Sequence, residues 1–462
     1  MLRRILLQTN KNLSSLQTTI LPVSASVIVS CNPQNCQKRM ASSKHGISRR
    51  LVESQKSLWV EFSKLALEHN ALNLGQGFPD FQPPQFLLDA LKDAAASGNY
   101  LMNQYTRGYG HARLVNAIAD VYSPIMERKI DPMSEILISV GAYGSLFCSL
   151  QGMINDGDEV IIIEPFFDCY DPMVKVAGGV PVFVPLRPTK TGVSMATSSA
   201  DWKLDEKELE SKFNEKTKAI IINTPNNPLG KVFSREELDV IAKLCIKYDV
   251  ICISDEVYEW LVFDDNKHIK IATLPGMWER TLTIGSAGKT FSATGWKLGW
   301  TIGPSDILVG AKTMHQNCNY TCPTILQEAT AVGFEHELKR MGTPECYFSQ
   351  LPKELEPKRD KLINLMTEMG MWPVIPQGGY FLLADITGLN IDLSQEAADE
   401  PRDFQFVKWM TKNKKLTAIP PSAFYCKEHQ SVGENYVRLC FIKKDETLEK
   451  ASKILREWKS SM

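Results

Sequence analysis

The sequence predicts an α/β protein, with a large domain on a mostly parallel sheet joined to a smaller α+β domain. Between about residues 135 and 305, short apolar runs end in small or polar residues and are followed by helix-like stretches. That alternation builds parallel sheets with helices packed on them. The runs are near-continuous and β-branched rather than alternating, as befits strands covered on both faces. After about residue 335 the pattern becomes charged and helical, then returns to two apolar strands.

The first fifty residues stand apart. No Asp or Glu precedes Glu53, while Arg3, Arg4, Lys11, Lys38 and Arg39 accumulate among Ser, Thr and Leu. This is the composition of a mitochondrial transit peptide, so a leader is expected over 1–48. Met40 offers a second start that would leave most of it out, which keeps both mitochondrion and cytoplasm as expected locations. The apolar run around Ile20 to Cys31 is too short and serine-broken to span a bilayer. An N-terminal arm with part of the small domain is expected over 49–84, the large domain over 85–335 and the small C-terminal domain over 336–462.

Within the large domain the expected strands are EILISVG (Glu135 to Gly141), EVIIIEPFF (Glu159 to Phe167), KAIIINTPNNPLG (Lys218 to Gly230), VICISDEVY (Val250 to Tyr258) and TLTIGS (Thr281 to Ser286). Between two of them SREELDVIAKLCIKYD reads as a returning helix. Ser234 and Glu237 form a capping box, and Leu238, Ile241, Ala242 and Cys245 line one face. In the small domain, GGYFLLADI and NYVRLCFI read as strands, and KELEPKRDKLINLM as helix.

Composition narrows the function. With 44% hydrophobic and 23% charged residues the chain is an ordinary globular protein. A net charge of -1 supplies no field for nucleic acid or an anionic membrane, so neither is expected as a partner. The eleven cysteines show no C-x-x-C pair and no zinc-like spacing to a histidine, so they read as reduced core thiols and no metal is expected. Cys318 and Cys322, four apart, are placed to share a helical face.

In an open α/β sheet, ligands gather at the carboxyl ends of the strands. VICISDEVY places Asp255 there after four apolar residues, where a buried carboxylate needs a cation. Tyr258 follows three residues later, and Asn227 lies between prolines at the end of another strand. TLTIGS ends at Ser286, followed by Lys289 and Lys297. Alone, Lys289 reads as a solvated surface charge. Gly288, Lys289 and Thr290 imitate the end of a nucleotide loop, but Thr283 occupies the position of the required earlier glycine. The helix after Gly141-Ala142-Tyr143-Gly144 offers unpaired N–H groups to an anion. Together these parts describe a pocket for a phosphorylated aromatic base with a ring cation, and pyridoxal 5'-phosphate meets that description.

The set Asn-Pro-[Leu/Thr]-Gly, Asp-x-x-Tyr and Ser-x-x-Lys, with a second cation eight residues on, resembles the fold-type I aminotransferases of the aspartate aminotransferase class. NLGQGFPDF, EPFFDCY, NTPNNPLGKVFSREEL, SDEVYEWLVF and GMWERTLTIGSAGKTFSATGWKLGW are similar to the kynurenine aminotransferases, also called cysteine-S-conjugate β-lyases. NYTCPT and FVKWMTKNKKLTAIP resemble their third vertebrate type. The resemblance runs from about Ser57 to the C-terminus.

It implies a transfer of amine from an amino acid, kynurenine among them, to a 2-oxo acid, with β-elimination as a side activity, in a homodimer whose sites are shared. By resemblance Lys289 holds the cofactor and moves the proton, Asp255 keeps the ring nitrogen protonated, and Asn227 and Tyr258 donate to the phenolic oxygen. Phe167 stacks on the ring. Ser286, Lys297 and the backbone of Ala142 and Tyr143 hold the phosphate, joined by Tyr105 from a neighbouring subunit. Arg438 clamps the substrate carboxylate with the backbone of Gly77, and Trp59, Tyr143 and Tyr320 wall the side-chain pocket.

Two positions depart from the pattern. Gly141-Ala142-Tyr143 lacks the hydroxyl residues that begin the phosphate loop of aspartate aminotransferases. Tyr320 and Thr321 stand where the first kynurenine enzyme has an aromatic residue and a histidine. Pro421 also replaces an expected smaller residue. The competing reading is a non-catalytic regulator that keeps the cofactor pocket. Such regulators carry a winged-helix module before the fold, and the acid-free leader does not resemble one.

Overall fold

The computed structural model describes residues 45–48, 50–51, 57–192 and 194–462. Most of the expected leader therefore lies outside the described residues. Contacts divide the chain into Met1–Val52 and Glu53–Met462, and all that follows concerns the second unit.

Its central sheet has seven strands: β1 (Ile136–Val140), β2 (Glu159–Glu164), β3 (Val180–Pro185), β4 (Thr217–Asn223), β5 (Ile251–Asp255), β6 (Thr281–Ser286) and β7 (Leu298–Ile302), in the spatial order β1-β7-β6-β5-β4-β2-β3. β7 runs antiparallel to both its neighbours, and the other pairings are parallel. Five strands fall in the expected runs. β3 and β7 were not among them. β7 begins directly after Lys297, whose left-handed conformation turns the chain back into the sheet.

A second sheet has β8 (Trp372–Ile375), β9 (Phe381–Asp385) and β10 (Tyr436–Cys440), ordered β10-β9-β8, with the short strand Thr197–Ser198 beside β8. Thr197–Ser198 comes from the chain expected to build the large domain. The pair Leu72–Asn73 and Leu416–Thr417 ties the N-terminal arm to the C-terminal third of the chain.

The helices used below are α1 (Leu58–Glu68), α2 (Gly141–Met153), α3 (Arg235–Tyr248), α4 (Ser305–Cys318) and α5 (Tyr347–Met369). Successive side chains of a strand point to opposite faces. Accordingly Val160 and Ile162 of β2 pack with Leu146 and Leu150 of α2, whereas Ile161 and Ile163 pack with Leu238 and Ile241 of α3. Both faces are covered, which is why β2 reads as an unbroken apolar run. α3 begins with the reciprocal Ser234–Glu237 capping box and ends with Asp249 in the left-handed conformation. Cys318 and Cys322 do not share a helical face, because α4 ends at Cys318; its Sγ lies 3.9 Å from that of Cys148.

α2 and α4 meet backbone to backbone at Gly152 and Gly310. A Cβ on Gly310 would stand 2.4 Å from the Gly152 carbonyl oxygen. Gly310→Ala is thus expected to push α4 off α2 and cost about 1–3 kcal/mol, read as a lower denaturation midpoint. An unchanged midpoint would mean that the helices part without strain.

Candidate active site

A cavity of ≈ 340 Å³ opens where the ends of β4, β5 and β6 face β10, a size suited to a small cofactor with its substrate. Asp255, the last residue of β5, is buried there. Its Oδ2 accepts a hydrogen bond from the Tyr170 hydroxyl at 2.5 Å, and burial lifts its carboxyl to about 6. Asn223 closes β4 against β5: its Nδ2 donates to the Asp255 carbonyl at 2.9 Å, and its Oδ1 accepts the Asn227 N–H at 2.7 Å. This fixes the Pro-rich turn that presents Asn227.

Lys289 sits on the single helical turn Ala287–Thr290 that follows β6. Its Nζ is in short contact with the Tyr380 hydroxyl and 3.4 Å from the Gly77 carbonyl oxygen. Burial, with Arg438 and Lys297 nearby, brings the amine down to about 8. The Gly77 carbonyl also accepts from Tyr380 at 2.8 Å, and Lys443 holds the Gln76 and Phe78 carbonyls on either side. A Cβ on Gly77 would lie 2.4 Å from the Phe381 ring, so only glycine fits this approach.

Arg438, on β10, is fully buried. Nη1 donates to Asn227 Oδ1 at 2.8 Å and Nη2 to the Gly75 carbonyl at 2.6 Å, while Nε has no partner. The guanidinium lies 4.0 Å over the Phe381 ring. Burial brings it down to about 10. None of its hydrogen bonds is to a carboxylate; Asp168 acts on it only through space, so no acid of the chain is bonded to the guanidinium.

Opposite, α2 begins at the cavity with Gly141 in the left-handed conformation and directs its first N–H groups toward it. Lys297 Nζ is 3.5 Å from where a Gly141 Cβ would be. Ser286, Ala142 and Tyr143 line the same end of the cavity. Phe167 meets Tyr143 edge-on at 5.9 Å and Trp59 at 6.5 Å, and the Trp59 Nε1 donates to Asp168 at 2.7 Å. These aromatics form the wall.

The structure therefore gathers Lys289, Asp255, Tyr258, Asn227 and Arg438, with Ser286, Lys297, Ala142, Tyr143, Phe167, Gly77 and Trp59, around one cavity. It leaves Tyr105 and Tyr320 outside. They pack edge-on against each other at 5.3 Å on the exposed surface, so within one chain neither reaches the pocket. Sequence reasoning missed Tyr170, Asn223, Tyr380 and Phe381. Tyr170 and Asn223 lay inside quoted motifs, EPFFDCY and NTPNNP; Tyr380 and Phe381 lay inside GGYFLLADI, which was read only as a strand of the small domain. Pro421 now has a reason: it is the first residue of the turn Pro421–Phe424, where its fixed φ is favourable, and Phe424 lies 5.2 Å from the Arg438 guanidinium.

The donors fit pyridoxal 5'-phosphate. A buried carboxylate without a cation suits a ring nitrogen that must stay protonated, a helix N-terminus beside Lys297 suits the phosphate, and an amine near 8 suits an aldehyde.

Comparison with known proteins agrees. The family model for aminotransferase class I and II matches residues 69–455. Kynurenine--oxoglutarate transaminase 3 of Homo sapiens is 57% identical over 411 residues, 89% of this chain and 90% of that protein. Kynurenine--oxoglutarate transaminase 1 of Homo sapiens is 51% identical over 414 residues, 89% of this chain and 98% of that protein. The crystal structure of Bna3p from Saccharomyces cerevisiae superposes with a TM-score of 0.84 at 35% identity, over 90% of this chain and 99% of that one.

Because only the neutral amine attacks an aldehyde, Lys289 is protonated and inert below its pKa and reactive above it. Covalent capture of pyridoxal 5'-phosphate by the cofactor-free protein is expected to speed up as pH rises through about 8 and then level off. Borohydride trapping at a series of pH values measures it. A profile still rising steeply beyond pH 10, as for an exposed lysine, would show that burial does not activate the amine.

Proposed function

The chain belongs to the aminotransferase class I and II family and is a pyridoxal-phosphate-dependent aminotransferase, and from that premise we propose that its amino donors include L-kynurenine, with a 2-oxo acid as acceptor. One observation carries the reading. Arg438 is a buried guanidinium with no carboxylate partner, in the same aromatic-walled cavity as the activated Lys289. It asks for an α-carboxylate, and the walls ask for an aryl or similarly bulky side chain. The relatives named for kynurenine supply the specific substrate.

Bound pyridoxal 5'-phosphate supplies the aldehyde that carries the amine and the ring that takes up electrons when the substrate Cα–H bond breaks. The residues divide the remaining work. Arg438 binds the α-carboxylate, and the Gly77 turn, locked by Lys443 and Tyr380, limits where that carboxylate can lie. Lys289 Nζ, near 8, takes the Cα proton and returns it on the cofactor's side of the exchange. Asp255 holds a proton on the ring nitrogen, and its carboxylate charge is conserved by the Tyr170 hydrogen bond against the burial that raises it. Trp59, Phe167 and Tyr143 exclude water from the reacting carbon.

The cations lining the cavity are Lys289, Lys297 and Arg438. With Lys297 assigned to phosphate, no further cation lines the cavity among the described residues to meet a distal carboxylate, so aromatic, sulfur-containing and glutamine-like donors are favoured over acidic ones. A cysteine conjugate with a leaving group on Cβ would lose that group as a thiolate once Lys289 has taken the Cα proton, giving β-lyase activity.

Purified enzyme given kynurenine and a panel of 2-oxo acids is expected to form kynurenic acid. Arg438→Ala should raise KM for every donor by at least about 100-fold, the loss of a buried charge-assisted pair, and Lys289→Ala should abolish turnover. Robust transamination of other donors with none of kynurenine would sink the substrate reading while sparing the aminotransferase.

We also propose a homodimer, because Tyr105 is 81% exposed and distant from its expected place at the phosphate. A second copy would supply it. Sedimentation should give twice 51.9 kDa, and Tyr105→Phe should loosen the cofactor; a monomeric enzyme of full activity would refute the shared site.

A further inference from the structure

Three residues before Phe167, the end of β2 meets the segment after Pro421–Phe424 in a cluster that does not line the cavity and that transamination does not use. Glu164, the last residue of β2, is fully buried. One of its carboxylate oxygens accepts the Cys426 backbone N–H and the other is in short contact with His429 Nδ1. Cys426 Sγ lies 3.3 Å from His429 Nδ1 and 3.4 Å from Glu428 Oε2. The donor atoms of Glu164, Cys426 and His429 all lie within 4.8 Å of one another.

We propose that Glu164, Cys426 and His429 form a zinc site, with the exposed Glu428 carboxylate, 3.4 Å from the sulfur, turning in as the fourth ligand. A tetrahedral zinc holds sulfur at about 2.3 Å and nitrogen or oxygen at about 2.0–2.2 Å, which sets a sulfur about 3.5 Å from each other ligand. The two sulfur separations above already match. The donor set of one thiolate, one imidazole and carboxylates is a zinc set, not one for calcium or magnesium. Binding releases the Cys426 thiol proton to solvent and replaces the direct Glu164–His429 contact, whose two atoms move apart by about 1 Å to admit the ion. The Cys426 N–H on Glu164 becomes the outer contact that orients the carboxylate.

A second convergence, of Glu256, Glu259 and His268, is not such a site. Lys270 Nζ already stands between its two carboxylates, in short or 2.7 Å contact with each. The Glu164 cluster has no such lysine among its contacts and pairs with His429 instead. The sequence concealed it: Cys426 and His429 are three apart, but no second pair follows, and Glu164 lies 262 residues from Cys426. Zinc here would staple two segments that the Phe166 N–H and the Phe424 carbonyl already join at 2.9 Å.

The test uses the full-length enzyme loaded with its cofactor, stripped of metal with a chelator and titrated with Zn²⁺ against a chromophoric competitor, then with Co²⁺ as a spectroscopic probe. One equivalent of Zn²⁺ is expected, with intense long-wavelength Co²⁺ bands of four-coordination and a thiolate charge-transfer band. Cys426→Ser should abolish the charge-transfer band. His429→Ala and Glu428→Gln should each weaken Zn²⁺ by at least about 10-fold, and Zn²⁺ should raise the melting temperature of the parent but not of Cys426→Ser. Less than one equivalent, a weak six-coordinate Co²⁺ spectrum, or equal Zn²⁺ affinity in Cys426→Ser and the parent would each overturn the proposal. Cys426 and His429 are only partly buried, and either variant alone decides the matter if the other fails to fold.

Discussion

The architecture turns on how two adjacent carboxylates at the end of one strand are treated. Asp255 and Glu256 are consecutive, and both are buried. Glu256 meets the Lys270 ammonium at 2.7 Å, His268 at 2.8 Å and the Ser254 hydroxyl at 2.8 Å. Although burial pushes it upward, these partners hold it down at about 2. Asp255 receives a neutral phenol and no ion pair, and stays near 6. An unpaired buried charge is costly, so the protein confines that cost to the carboxylate that lines the cavity. The paired network on Glu256 anchors the same backbone, which keeps Asp255 from relaxing toward a partner of its own.

The sequence disclosed this arrangement to the extent that strand ends are legible. Asp255, Asn227, Ser286 and Gly141 each follow a β-branched run, and a parallel sheet brings the carboxyl ends of its strands to one edge. That rule converts one-dimensional punctuation into a common location without any knowledge of packing. It works because both sheet faces are covered, which makes each run unambiguous.

What stayed hidden depends on contacts between distant segments. Tyr170 reaches Asp255 from a helix 85 residues away, and Tyr380 reaches Lys289 across 91; neither tyrosine carries a local mark of its task. β7, LGWTI, was masked because it is short and broken by a glycine instead of forming a β-branched run. Gly299 is needed there because a Cβ would fall 2.4 Å from the Ala142 nitrogen, so the strand passes directly beneath the anion-binding turn. Tyr105 illustrates another limit: a side chain proposed to act in a second copy cannot be placed by a single chain, whatever its motif.

Arg438 shows why the supporting shell is neutral. Its two bonded nitrogens donate to an amide oxygen and a peptide carbonyl, and the flat face lies on Phe381. Each contact orients the guanidinium and offsets part of its desolvation without cancelling the charge. A carboxylate in either position would hold the arginine equally well and would leave nothing for a substrate to bind. Asn227 serves this purpose with its amide oxygen while also lining the cavity. The same logic separates binding from chemistry: Arg438 keeps its full charge through burial among neutral acceptors, whereas Lys289 is brought near neutrality by that burial and can give up its proton. One desolvated cavity thus yields a permanent cation and a usable base, because guanidinium starts far higher on the pKa scale than ammonium.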